Sequence, residues 1–232
     1  MLQHRAALVF FICYLFVGVF VLSDYGLNWD DNDQRNIGLT NWGYLFENNK
    51  DALRNSLDRY HGPAFELLLV APEKILGIDD YRTIYIVRHV VTFGFFFFSV
   101  LAFYSLALAL FKTKWVSLLA CLLLVLSPRI FAESFYNSKD IPLLSAMIFA
   151  TLTMFVFVQR PTFKMAVLHG FTSAFAFDIR IFGLLIFLVT IFLLLYVVVL
   201  DTKMYRKWMQ YLMVYVVVAF LFTILFWPIL MD

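Results

Sequence analysis

Long uncharged apolar runs, separated by short polar breaks, occupy most of this chain. Ala6–Leu22, Val90–Phe111, Ile141–Gln159, Ile181–Leu200 and Trp208–Met231 carry no charge. A helix of roughly 17–25 such residues crosses about 30 Å of hydrocarbon, so each reads as a membrane span. Two further runs are shorter: Trp115–Pro128, between Lys114 and Arg129, and Met165–Phe177, between Lys164 and Asp178. The breaks at His4-Arg5, Lys112 to Lys114, Arg160 to Lys164 and Lys203 to Lys207 are short and basic, with Asp201 the acid at their edges. The positive-inside bias assigns all four to the cytoplasm. The chain returns to that side each time only if both short runs also cross. The expectation is an all-α polytopic membrane protein of seven spans, about 6–22, 90–111, 115–132, 141–159, 165–177, 181–200 and 208–229, with an outer loop over 23–89. The thirteen residues of Met165–Phe177 are too few to cover the core alone, so neighbouring helices or a wet cavity must shelter them.

A different pattern runs through the outer loop. Trp42, Leu45, Phe46, Leu53, Leu57 and Tyr60 recur at helical spacing among polar residues, which predicts one amphipathic helix lying in the interface. His61-Gly62-Pro63 ends it. Pro63 then opens a second short helix through Ala64–Val70, and Pro72 limits that one.

Composition agrees with a membrane protein: 63% of residues are hydrophobic, 19% aromatic and only 15% charged. A net charge of +2 gives no basis for nucleic-acid binding. Cys13 and Cys121 sit inside apolar runs and read as packing residues. The N-terminal run lacks a small-residue cleavage site after it and reads as a retained anchor.

The charge that remains is concentrated. Trp29-Asp30-Asp31-Asn32-Asp33-Gln34 places three carboxylates in four positions just beyond the first span. Such acids suit a solvated, helix-capping loop, a hard-cation site completed by Glu133 or Asp140, or a general base where a lipid-borne substrate meets an aqueous acceptor. Arg129, Lys139 and Arg180 lie on the same expected face, against the usual bias, and so require either a carboxylate partner or an anionic ligand such as phosphate. Asp178 with Arg180 and Lys139 with Asp140 are neighbours whose side chains point apart, which favours pairing with other loops.

The order of these features resembles the N-terminal half of a GT-C membrane glycosyltransferase of the protein O-mannosyltransferase type, in the broad group that includes aminoarabinose transferases. The matching positions are Asp30-Asp31 after the first span, His61-Gly62-Pro63 before a short helix, Arg88 opening the next span, Ser127-Pro128, and Arg180 after the short fifth helix. Family members more often carry Asp-Glu than Asp-Asp, and they usually continue through several more spans. The chain is therefore expected to be truncated at its C-terminus. The resemblance implies transfer of a sugar from a polyprenyl-phosphate donor to a hydroxyl acceptor on protein, lipid or glycan, with inversion. Asp30 is the implied base, Asp31 its support or a cation ligand, and Arg180 and Lys139 the lipid-phosphate ligands. Glu133, Asp140 and His61 are weaker acceptor or metal candidates; the cofactor is undefined, a divalent metal being the candidate. The expected location is a bacterial inner membrane with the site facing outside, or the endoplasmic reticulum in a eukaryote.

Three other readings are weighed against this one. A transporter would place ionisable residues near the bilayer midplane, where these spans carry essentially none. A non-catalytic lipid-binding or assembly subunit is the second. His169 in the fifth span could mark an acyltransferase, but a lone histidine there more often packs as a polar residue.

Overall fold

The computed structural model describes residues 2–200 and 205–231; Asp201, Lys203 and the terminal Asp232 of the expected topology lie outside the described residues. Among the described residues the secondary structure is entirely helical: α1 Leu2–Val21, α2 Asp31–Phe46, α3 Lys50–Arg54, α4 Ala64–Leu76, α5 Tyr81–Phe111, α6 Lys114–Val125, α7 Pro128–Tyr136, α8 Asp140–Gln159, α9 Phe163–Ile179, α10 Leu184–Leu200 and α11 Tyr205–Phe226. Five segments are long and apolar enough to cross a membrane: Arg5–Asp24, Tyr81–Phe111, Asp140–Gln159, Ile181–Val199 and Tyr205–Phe226. The all-α polytopic expectation holds.

The helix boundaries depart from the sequence reading in four places. The run expected as one span over 115–132 is two helices, α6 and α7, bent by 68°. Pro128 is the cause: its ring forces Ser127 into extended geometry (φ −62°, ψ 113°), and it then serves as the first residue of α7. In α5, 31 residues of helix begin at Tyr81 rather than Val90. At 1.5 Å per residue that is about 46 Å, longer than the hydrocarbon is thick, so the last part of the expected loop is a helical extension of the span. The amphipathic helix expected from Trp42 to Tyr60 is broken. The chain leaves α2 through Asn48 at φ 54°, and a new five-residue helix starts at Lys50. Only Leu53 of the later residues is buried, while Leu57 is 98% exposed. Finally, Pro72 lies within α4 instead of ending it. It forfeits one backbone hydrogen bond but does not break the helix.

The described residues divide into two compact units. One comprises the chain up to Asn36 together with Leu68–Ser145, the other Ile37–Leu67 together with the chain from Ala146 onward. The core of the first unit is aromatic. Phe11 and Tyr14 of α1, Phe93, Phe96 and Val100 of α5, Cys121 and Val125 of α6 and Phe135 of α7 are all buried there. Tyr25 stacks on Phe135 with ring centres 4.5 Å apart, and Phe135 stacks on Phe93 at 5.0 Å. Such pairs contribute about 0.5–1.5 kcal/mol each beyond area burial. Their use here is positional, because Tyr25 pins the connector between α1 and α2 onto α7.

In the second unit α9 packs along α11, where a Cβ at Gly170 would lie 3.1 Å from the Tyr215 carbonyl oxygen. Small residues at such a contact let two backbones approach closely. Beside it, His169 joins three helices: Nδ1 is 3.0 Å from Thr153 Oγ1 of α8 and Nε2 is 2.8 Å from Thr190 Oγ1 of α10. Its ring stacks on Tyr215 of α11 at 4.8 Å. Both ring nitrogens are bonded and the residue is fully buried, so His169 packs here as a polar residue joining the helices. α9, which contains the fifth span of the sequence reading, thus packs against α8, α10 and α11.

Candidate active site

Asp30 and Asp31 sit where α2 begins. The Asp30 carbonyl accepts the first helical bond, from Gln34 N–H at 2.9 Å. Asp31, one residue on, turns its carboxylate back to accept the Asn28 N–H at 2.5 Å, satisfying a donor that the helix start would otherwise leave open. The consequence is an unequal pair. Asp31 is only 4% exposed, whereas 36% of the Asp30 side chain is open. Asp30 accepts from Asn28 Nδ2 at 3.0 Å and faces Lys139 Nζ at 3.7 Å.

Three contacts that the sequence reading missed fix this helix start. Asn32 Oδ1 accepts from the hydroxyls of both Tyr81 and Tyr85, at 2.7 and 2.9 Å. Arg35 grips Glu73 of α4 with two parallel bonds, Nε to Oε2 at 2.9 Å and the second guanidinium nitrogen to Oε1 at 2.5 Å. Two-pronged geometry of this kind is among the stronger polar contacts a protein makes. The first turns of α2 are thus tied to both α4 and α5. Arg88, the arginine that opens the following span, is buried with its guanidinium over the Tyr85 ring, and both it and Asp31 lie within electrostatic reach of the Tyr85 hydroxyl. No motif announces Asn32 or Tyr81; only their spacing on α2 and α5 could have suggested them.

Lys139 reaches Asp30 from a turn built by Asn137. The Asn137 Oδ1 accepts the N–H groups of Lys139 and Asp140, at 3.0 and 2.7 Å, and its Nδ2 donates to Glu133 at 3.1 Å and Asp140 at 3.3 Å. Glu133 also accepts from Arg129 at 2.7 Å, one turn back on α7. Glu133 and Asp140 therefore serve first to hold this turn. Lys139 pairs with a carboxylate from another loop and not with its neighbour Asp140. Among the described residues no three His, Cys, Asp or Glu side chains gather into a metal-binding group.

His61 and Arg180 belong to the second unit. There the His61-Gly62-Pro63 break has a tertiary reason. A Cβ at Gly62 would lie 1.5 Å from the Asp178 carbonyl oxygen, so the two backbones touch where no other residue fits. The Asp178 carboxylate accepts the Ala64 N–H at 2.7 Å, capping α4 from a distance. Its other oxygen is buried with no partner. Burial pushes the Asp178 carboxyl up to about 8, against the smaller downward pull of the Ala64 bond. Arg180 follows in extended geometry, half-buried and engaged with other groups. His61 is more open, its Nδ1 3.3 Å from the Asp58 carboxylate.

Apolar helices long enough to cross a membrane, with carboxylates and cations at their ends, define an all-α polytopic membrane protein. A family model described as dolichyl-phosphate-mannose-protein mannosyltransferase matches residues 61–231, and the chain belongs to that family, a membrane glycosyltransferase group of the GT-C type. No curated protein and no solved structure matches the chain. The match contains His61-Gly62-Pro63, Arg88, Ser127-Pro128 and Arg180, while Asp30 and Asp31 lie upstream of it.

Proposed function

We propose that this chain transfers a sugar from a polyprenyl-phosphate donor to a hydroxyl acceptor at the outer membrane face, with Asp30 as the base. The observation that carries the proposal is the unequal acid pair: an accessible carboxylate on a buried, hydrogen-bonded partner, with a lysine 3.7 Å away. The acceptor O–H gives its proton to the Asp30 carboxylate as its oxygen bonds to the anomeric carbon. The bond from that carbon to the phosphate oxygen breaks with its electron pair on phosphate. Attack opposite the leaving group inverts the centre, and no covalent sugar–enzyme intermediate forms. Lys139, 3.7 Å from Asp30, takes up the charge developing on the departing phosphate. Asp31 orients the helix start and touches no substrate atom.

The test is sugar transfer from a polyprenyl-phosphate donor in membranes. Asp30→Asn keeps shape and removes the proton acceptor, so the rate falls by about 10²–10⁴-fold. Asp33→Asn leaves it within a few-fold. Equal rates for Asp30→Asn and the unmodified protein overturn the assignment.

A further inference from the structure

Asn28 belongs to no motif and takes no part in the transfer chemistry, yet it touches both acids. Its backbone N–H donates to the Asp31 carboxylate at 2.5 Å, and its carbonyl accepts the Asp31 N–H at 3.4 Å. The buried acid of the pair therefore holds the Asn28 backbone at two atoms. The side chain makes two further contacts. Oδ1 accepts the Trp29 N–H at 2.8 Å, and Nδ2 donates to Asp30 Oδ1 at 3.0 Å.

These two partners determine which way the amide faces. A backbone N–H only donates and a carboxylate only accepts, so the oxygen belongs at Trp29 and the nitrogen at Asp30. Turned over, the amide would set its NH2 against the Trp29 N–H and its oxygen against the Asp30 carboxylate. Two repulsions would replace two bonds. The donor that Asp30 meets is thus fixed by its neighbours on both sides.

The consequence falls on Asp30. A carboxylate turns broadly about its bond to Cβ, and 36% of this side chain is open. Asn28 gives the two oxygens different surroundings: Oδ1 is bonded to the amide, while Oδ2 faces Lys139 Nζ at 3.7 Å. That separation exceeds hydrogen-bond length, so Oδ2 keeps its lone pairs for an incoming hydroxyl. It does so on the side of the cation that meets the departing phosphate. Rotation of the carboxylate would undo this register, and a misplacement of about 1 Å can cost on the order of 10²-fold in rate.

We propose that Asn28 is a positioning residue for the transfer: it fixes the rotation of the Asp30 carboxylate so that Oδ2 takes the acceptor proton beside Lys139. The proposal rests on the reading of Asp30 as the base. It also gives the buried acid an indirect part, because Asp31 holds the backbone of the residue that holds Asp30.

Two substitutions separate this role from that of a turn former. Asn28→Asp keeps an oxygen for the Trp29 N–H and loses the donor to Asp30, whereas Asn28→Ala loses both. Sugar transfer from a polyprenyl-phosphate donor in membranes falls roughly ten- to hundredfold in each, the loss typical of one hydrogen bond to a charged group. A double-mutant cycle with Asp30→Asn supplies the readout that a structural role would not move. Acting through Asp30, Asn28→Asp costs nothing further once that carboxylate is gone. A residue that merely shapes the loop costs the same in either background, so full additivity overturns the proposal. So does an Asn28→Asp protein with the unmodified rate beside an impaired Asn28→Ala. If Asn28→Asp fails to fold, the cycle with Asn28→Ala decides alone. Full rates for both Asn28 variants beside an impaired Asp30→Asn overturn the positioning role and leave the base standing; an unimpaired Asp30→Asn removes the base and the proposal with it.

Discussion

Asp178 is a carboxylate in an unusual bargain: it caps the Ala64 N–H with one oxygen and leaves the other buried and bare. Its carboxyl titrates near 8 in the folded protein against an ordinary value of 3.8. Since the folded state holds the proton more tightly, this group's stabilising contribution is complete below about 3.8 and is lost as pH rises through about 8. Thermal unfolding in detergent across that window should show the melting temperature falling as pH rises. Asp178→Asn keeps an acceptor for Ala64 and cannot ionise, so its profile should be flatter; equal slopes would assign the pH dependence to other groups. At this scale the sequence was legible where charge sat in an odd place. Asp30, Lys139 and Arg180 stood out because cations and clustered acids at the end of apolar runs demand a reason. Asn32, Asn137 and Asp178 did not, since their roles come from partners 49 residues away, from a local turn, and from a helix 114 positions earlier. A linear pattern carries no trace of such pairings.

Among the elements, the break before α4 shows how a weak motif acquires a physical meaning. Gly62 reads in sequence as a turn residue, but its requirement is steric: the obstruction is the backbone of Asp178, which cannot swing aside as a side chain could. Gly62→Ala should therefore destabilise the protein by about 1–3 kcal/mol, the usual range for overpacking, read as a lower melting temperature. Gly77→Ala has open space for its Cβ, but its φ of 62° gives a separate backbone penalty, so Gly26→Ala is the better control. A Gly62→Ala protein as stable as that control would mean the two backbones separate at little cost. Periodicity found the long helices because their apolar faces repeat over many turns. It failed between Trp42 and Tyr60, where a helical spacing of apolar residues ran across a backbone that turns at Asn48. It also misjudged Pro72, whose missing donor α4 tolerates.

For the molecule as a whole, the apolar runs fixed the class, and the family match agrees with the resemblance carried by the motifs. Sidedness is a separate matter, open to direct measurement. Single cysteines placed at Asn48 and Asn137 should react with impermeant thiol reagents from outside, and one at Thr162 should not. Labelling at Thr162 without labelling at Asn137 would reverse the proposed arrangement. The pattern of short polar breaks gave this topology, but it could not show how α9 is accommodated. That helix has 17 residues, at the short end of what crosses a bilayer. It carries His169 and Ser173, whose hydrogen-bond partners Thr190 and Tyr215 lie on α10 and α11. During synthesis those partners emerge after α9 does. A ribosome that has just finished α9 has made a helix whose His169 and Thr172 can reach Thr153 of α8, while His169 Nε2 and Ser173 still lack the partners they take in the folded protein. Its full packing awaits the two helices that follow, so α9, α10 and α11 gain their polar contacts as a group rather than one helix at a time.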